Sequence, residues 1–319
     1  MNSRIYMMLT QQCNSACSYC YIPHSTKTQK ESNAHFQYWL EAFTTHIMDK
    51  KFKEPPEIRL IGGEPYLHPG LVEQISRHFL SSTQTGRIII NTNGTLLNEQ
   101  MLNRLPQEHK KRIAHIVSLD GTEPVHNMRR ILKNGQNAFQ KTIKGIHLLQ
   151  EQGMPVYLNM VLDPVTLAQL DSFMEYLVTE LGIHELGLSL LFRPGEKNDP
   201  QKDFNLLEKA YFLADRYNIL VSGHHRLKLG HKIKELSCNA GKKSVLVSPE
   251  NKIYACQRFV GRNEGTDATR FPEGISTELH GQVQSNCYCK EQEILGDMLF
   301  NMYQKSYTEY IKITQLDKI

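Results

Sequence analysis

Ile5-Tyr-Met-Met-Leu9-Thr-Gln-Gln-Cys13-Asn-Ser-Ala-Cys17-Ser-Tyr-Cys20 joins a short apolar run to a loop that carries three thiols. The run reads as a buried strand, of the kind found in parallel sheets covered on both faces. The loop sets Cys13, Cys17 and Cys20 at a C-x3-C-x2-C spacing, which supplies three soft ligands. Three thiolates can hold a 4Fe-4S cluster and leave its fourth iron open to bind and activate a small molecule. Zinc with a distant fourth ligand, or thiols with no metal, is the other chemistry open to such a triplet.

Outward from this stretch, β-branched runs alternate with longer helical patterns as far as about residue 192. Strands are expected at 5–9, 57–61, 87–91, 115–119, 156–161 and 185–191, and helices at 34–50, 69–80, 97–105, 136–152, 165–181 and 203–217. In 136–152, Phe139, Ile143, Ile146 and Leu149 recur at spacings of three and four and share one face, and Gly153 and Pro155 stop the helix. Alternation of this sort is the signature of an α/β chain with a parallel sheet. Six βα units are two short of a closed barrel of eight, so a partial (β/α)6 TIM-like barrel is expected.

Beyond residue 217 the connections become rich in Gly, Asn and Ser, with short strands expected at 244–247 and 252–254. A boundary is placed near residue 225, giving a barrel domain of 1–225 and a smaller domain of 226–319. Ile294, Leu295, Met298, Leu299, Met302 and Tyr303 mark a closing helix within 292–313.

Composition narrows the function classes. The chain has 319 residues, 40% of them hydrophobic, and a net charge of +4. Its Lys and Arg are spread without a basic block, so no nucleic-acid partner is expected, and Lys110-Lys111-Arg112 reads as a solvated helix end. No run approaches the roughly 18 apolar residues that span a bilayer, and 1–20 lacks a signal-peptide pattern, so no membrane association and a cytoplasmic location are expected. Seven cysteines in a reducing compartment read as metal ligands rather than disulfides. They form two groups, with Cys238, Cys256, Cys287 and Cys289 far from the first three. The fourteen histidines, His224-His225 included, show no ligand spacing with them.

The cysteine loop resembles that of the radical S-adenosylmethionine (SAM) superfamily, in which an aromatic residue precedes the third cysteine as Tyr19 does here. Gly62-Gly63-Glu64-Pro65, one βα unit later, is similar to the family segment that binds the SAM amino group. Asn91-Thr-Asn93-Gly94 and Ser118-Leu-Asp120-Gly121 resemble segments lining its ribose and methionine parts. His126-Asn127-Met-Arg-Arg130 is similar to the family's His-Asp-x-x-Arg, with Asn127 in place of the aspartate. That resemblance implies Arg130, or equally Arg129, as partner of the SAM carboxylate. Glu64 and Asp120 are expected to face the cavity, neither of them assigned as a general base.

Cys238-Asn-Ala-Gly241 and the later Ser248-Pro-Glu-Asn251-Lys-Ile-Tyr-Ala-Cys256 resemble the opening of the SPASM and twitch auxiliary-cluster domains, with Asn251 where the family has a turn glycine. Cys238, Cys256, Cys287 and Cys289 would then hold a second 4Fe-4S cluster, although four cysteines also satisfy zinc, and one of the Cys287/Cys289 pair is a candidate non-ligand.

The resemblance implies reductive cleavage of SAM to methionine and a 5′-deoxyadenosyl radical, which takes hydrogen from an unactivated carbon. In its two-cluster branch it implies oxidation or cross-linking of a side chain in a ribosomally made peptide. A flavodoxin or ferredoxin would supply electrons. With ligands starting at residue 13, leader recognition is expected to fall to a separate protein or to a different surface of this one. The alternatives are a twitch-type dehydrogenase of a small alcohol and a non-catalytic zinc scaffold.

Overall fold

The computed structural model describes residues 4–22, 56–81, 86–191, 199–223, 244–249, 252–256, 260 and 266–267. The expected helices at 34–50 and 292–313, the Asn251 turn, and Cys238, Cys287 and Cys289 lie outside the described residues. The described chain falls into two compact units, one from 1–118, 127–156 and 239–286, the other from 119–126, 157–238 and 287–319.

In the first unit, β1 (Arg4–Met8), β2 (Glu57–Ile61), β3 (Arg87–Thr92) and β4 (Ile113–Ser118) lie side by side and parallel. Register and period-two alternation sort their side chains. Ile5, Ile58, Ile88 and Ile113 share a row on one face, as do Met7, Leu60, Ile90 and His115, and all are buried. Helix α1 (Pro69–Leu80) buries Val72, Ile75 and Phe79, at helical spacing. Burying each of these large apolar side chains contributes about 1.5–3 kcal/mol before the entropy of ordering it. The short helix α2 (Glu99–Arg104) is capped by Asn98, whose side chain accepts from Met101 N. The Lys110-Lys111-Arg112 run ends a 3-10 turn that leads into β4. Helix α3 (Glu123–Arg129) begins in the second unit and ends in the first, where α4 (Ala138–Glu151) follows and buries Phe139, Ile143, Ile146 and Leu149 as its period predicts.

The polar exception in that packed layer is His115, fully buried with Tyr66. The Tyr66 hydroxyl and His115 Nε2 share a hydrogen bond of 2.6 Å, and burial pushes the imidazole down to about 3, so the ring stays neutral.

β8 (Ser244–Val247) pairs parallel with the outer edge of β1, with Arg4 opposite Ser244 and Met7 opposite Val247. β9 (Lys252–Tyr254) returns antiparallel, closed by Ser248 N donating to Lys252 O, and β10 (Thr266–Asp267) follows it. The hairpin expected before Cys256 is therefore present, and its first strand docks on the strand that feeds the cysteine loop. The order in this unit is β10-β9-β8-β1-β2-β3-β4.

At the N-terminal ends of these strands, Glu57 stands opposite Arg4 and Arg87 in register. Its Oε1 lies 2.6 Å from Arg59 Nε and 3.4 Å from Arg4 Nε, and its Oε2 lies 2.7 Å from Arg87 Nε. Burial alone would raise this carboxyl, but the Arg59 and Arg87 guanidiniums hold it below its ordinary value of 4.5. A carboxylate depressed in the folded state contributes stability above its unfolded pKa and loses it as pH falls through the folded one. Glu57→Gln is expected to cost about 2 kcal/mol near neutral pH. In urea unfolding, that difference from the wild type should shrink steadily below about pH 4.

In the second unit, β5 (Val156–Leu162), β6 (Glu185–Leu190) and β7 (Leu220–Ser222) are parallel, in the order β5-β6-β7. The helix expected over 165–181 is two helices, α5 (Pro164–Leu167) and α6 (Leu170–Thr179). Asp163 and Thr166 close a capping box on α5. Gln169 marks the break between them, its Nε2 donating to Thr166 O and its Oε1 accepting from Thr122 N. Helix α7 (Pro200–Arg216), capped by Asp199, precedes β7, a strand the sequence pattern does not reveal. Among the described residues no helix is long and apolar enough to cross a membrane.

Candidate functional site

The cysteine loop leaves the C-terminal end of β1, where parallel α/β folds place their chemistry. Two glycines at the end of β2 allow the next chain to lie directly against it. Gly63 N donates to Thr10 O at 2.8 Å and Glu64 N to Gln12 O at 2.9 Å, extending the β1–β2 ladder into the loop. A Cβ on Gly62 would stand 2.5 Å from Thr10 O, and one on Gly63 would stand 2.8 Å from Gln11 O and closer still to Gln12 O. The Gly-Gly pair thus serves a backbone-to-backbone contact under the cysteines.

Glu64 is fully buried. Its Oε1 accepts from Tyr66 N at 3.1 Å and Thr92 Oγ1 at 2.7 Å, and its Oε2 accepts from Asn93 N at 2.7 Å. Burial pushes the carboxyl up to about 7, against the pull of the Asn93, Thr92 and Tyr66 donors and the Arg130 charge. Every one of these neighbours is a donor or a cation, so Glu64 ties the end of β2 to the end of β3. Pro65 then opens a single 3-10 turn, Pro65–Leu67.

Asn93 carries the connection onward to the cysteines. Its Nδ2 donates to Asn14 Oδ1 at 2.8 Å and to Ser15 Oγ at 3.2 Å, with Cys13 Sγ at 3.9 Å. Its Oδ1 accepts from Thr95 N and Thr95 Oγ1, and Asn14 Nδ2 returns to Thr95 Oγ1 at 2.9 Å. On its other side the loop is laced to the last residue of α3 and the segment after it. Ser18 N donates to Arg129 O, Ala16 N to Ile131 O, and Lys133 N to Asn14 O, around an antiparallel bridge between Ser15 and Leu132. Arg129 and Arg130 both place their guanidiniums over Tyr19, at 4.6 and 5.4 Å from the ring centroid.

Cys13, Cys17, Cys20 and Cys256 form no disulfide, with Cys20 exposed and the others partly buried. Burial pushes Cys13 up to about 11, eased by the Ser15 N–H and raised further by Glu64, Cys17 and Cys20. Among the described residues no three Cys, His, Asp or Glu stand in a ready metal geometry. The donor set fits a cluster held by three thiolates. The ligands are soft, they share one loop anchored on two sides, and Ser15 N donates to Cys13 Sγ at 3.4 Å.

A model of the radical SAM superfamily matches residues 7–177. The chain belongs to the radical SAM superfamily. It is 24% identical over 271 residues to the antilisterial bacteriocin subtilosin biosynthesis protein AlbA of Bacillus subtilis, covering 79% of this chain and 54% of that protein. It is 31% identical over 176 residues to a GTP 3',8-cyclase of Microcystis aeruginosa, covering 51% of this chain and 49% of the cyclase. The chain thus spans about half the length of these curated relatives. Among solved structures, anSMEcpe with bound AdoMet and Cp18Cys peptide superposes with a TM-score of 0.69 at 16% identity, covering 99% of each chain. The α/β fold is therefore that of a radical SAM TIM-like barrel enzyme, and membership implies a 4Fe-4S cluster and SAM.

Of the residues singled out in the sequence, Cys13, Tyr19, Gly62, Gly63, Glu64, Asn93 and Arg130 meet in one interconnected structure in the first unit. Ser118 ends β4 in the same unit. Asp120 belongs to the second unit, where it is fully buried, its Oδ1 accepting from Val161 N and its N–H donating to His126 Nδ1. Asn127 faces α4, accepting from Phe139 N at 2.9 Å and donating to the helix cap Asn137 at 3.1 Å. An aspartate there would lack the second donor. The sequence pattern does not point to Asn14, Ser15 or Thr95. The Asn93-x-Thr95 spacing of an Asx turn is the signal that marks the last of them.

Proposed function

We propose that this chain is a peptide-modifying radical SAM enzyme that oxidises or cross-links a side chain of a ribosomally made peptide. The anchored cysteine loop carries the reading, and the similarity to AlbA and to peptide-bound anSMEcpe supports it. Cys13, Cys17 and Cys20 would hold the cluster, leaving one iron for SAM. When bound, the cluster and SAM supply reductive cleavage and hydrogen-atom abstraction from unactivated carbon. The chain's own part is positioning. The Glu64–Asn93 network and the 129–133 segment fix the loop, Arg130 is the partner for the SAM carboxylate, and the backbone after Gly63 receives the SAM amino group. Asn93, Ser118 and Asp120 are the further SAM contacts.

In residues 226–319, Cys238, Cys256, Cys287 and Cys289 would hold an auxiliary 4Fe-4S cluster. The hairpin of β8 and β9, which ends two residues before Cys256, fits that role. Substrate would reach the enzyme with a separate leader-binding protein, and a flavodoxin or ferredoxin would supply electrons.

Anaerobic protein with reconstituted clusters, given SAM and dithionite, should form 5′-deoxyadenosine. It should also remove hydrogen from a peptide encoded beside it, read as a loss of mass. Colourless protein containing zinc and releasing no 5′-deoxyadenosine would overturn the reading.

A further inference from the structure

We propose that Arg129 is a positioning residue for the cysteine loop, clamping Tyr19 so that the Cys17–Cys20 end is preformed and a fixed positive charge stands beside the cluster to favour its reduction. The inference rests on the reading that Cys13, Cys17 and Cys20 hold that cluster. Tyr19 lies between two of the three thiols and is the loop's one large side chain. The Arg129 guanidinium stands 4.6 Å from its ring centroid, and Arg129 is 5% exposed, so the cation meets the ring where little water screens it.

The contact does not act alone. Arg129 O accepts from Ser18 N at 3.0 Å, and Ala16 N donates to Ile131 O at 2.7 Å, so backbone and side chain of one short segment grip the same end of the loop. Among the described thiols Cys20 is the most exposed; its N–H donates to Cys17 O at 3.1 Å within the loop itself, and its Sγ stands 3.9 Å from Ile22 O. Tyr19, next to it, carries the side-chain contact that joins this end of the loop to Arg129. Arg130 covers the same ring from 5.4 Å and also acts on Glu64. Arg129 is the closer of the two to the ring.

Charge beside an iron-sulfur cluster shifts its potential, because the added electron is attracted to a fixed cation. One electron enters the cluster from the reductant, and Arg129 is unchanged by the step. The test uses the full chain as wild type, Arg129→Gln, Arg129→Lys and Tyr19→Leu, each reconstituted anaerobically. Each is titrated with dithionite while the EPR signal that responds to SAM is followed.

Arg129→Gln is expected to disfavour reduction about tenfold, about 59 mV for one electron. Arg129→Lys, which keeps the charge but loses the planar stack, should recover most of that shift. Tyr19→Leu should shift the potential in the same direction as Arg129→Gln, because the guanidinium is no longer held. An Arg129→Gln protein with full iron content and the wild-type potential would overturn the proposal. If Arg129→Gln does not fold, as judged by circular dichroism, Tyr19→Leu decides, and an unshifted potential there overturns it equally. A wild-type protein showing no SAM-responsive signal would instead sink the cluster assignment itself.

Discussion

Cys17→Ala protein, purified and reconstituted without oxygen, is expected to release no 5′-deoxyadenosine from SAM above the uncatalysed background. Its iron content should fall from about eight to about four per chain if both clusters form in the wild type. Cys17 is a partly buried thiol outside any disulfide, and the backbone bonds that anchor the loop, from Ala16 and Ser18, do not use its side chain. The fold should therefore survive, with a thermal midpoint within a few degrees of the apo wild type. Loss of chemistry with retained folding separates a cluster ligand from a packing residue. Full activity in this variant would remove the three-thiolate site.

Gly63→Ala is expected to be the most damaging single-methyl change in the first unit. The new Cβ would meet the backbone carbonyls of Gln11 and Gln12, and no flexible side chain is there to yield. Either the Glu64 N to Gln12 O bond breaks or the cysteine loop moves off β2. The expected cost is about 3 kcal/mol, at the upper end for overpacking, with cluster content lost in parallel. Gly70→Ala is the matched control. Gly70 sits in the first turn of α1, its Cβ would meet only Arg104 Nη2 at 3.4 Å, and alanine is the better helix former. That variant should be neutral or more stable by up to about 1 kcal/mol in urea unfolding. Equal effects at Gly63 and Gly70 would contradict the close-approach account.

The strands β2, β8 and β9 stand where apolar and β-branched runs placed them, and α4 has its four expected residues in the core. These elements are legible because the signal lies within the element itself, an apolar or β-branched run in each strand and a helical period in α4. Helix α3 is not, since its seven residues are too few to display a period. The break between α5 and α6 is not legible either, because Gln169 bonds back to Thr122, far away in sequence.

The same distinction runs through the site. The cysteine spacing and Gly-Gly-Glu-Pro are local and could be read directly. The use made of them is not local: Gly63 meets Gln12, Glu64 meets Asn93, and Asn127 meets Phe139. Asn127 shows the difference most plainly. As a string it is a departure from an acidic pattern, whereas in space it is a residue whose amide both accepts and donates at the start of α4.

The parallel seat of β8 against β1 has a consequence for how the molecule is made. The strand that launches the cysteine loop leaves the ribosome some 240 residues before its outer neighbour, which is synthesised only at residues 244–247. Until then one edge of β1 offers unpaired amides and carbonyls to any passing chain. Closing so long a span is a slow step, and nascent or truncated products that stop short of it are the ones prone to aggregate. Recombinant yield should accordingly depend on translation reaching beyond this hairpin, a threshold that a ladder of C-terminal deletions would locate.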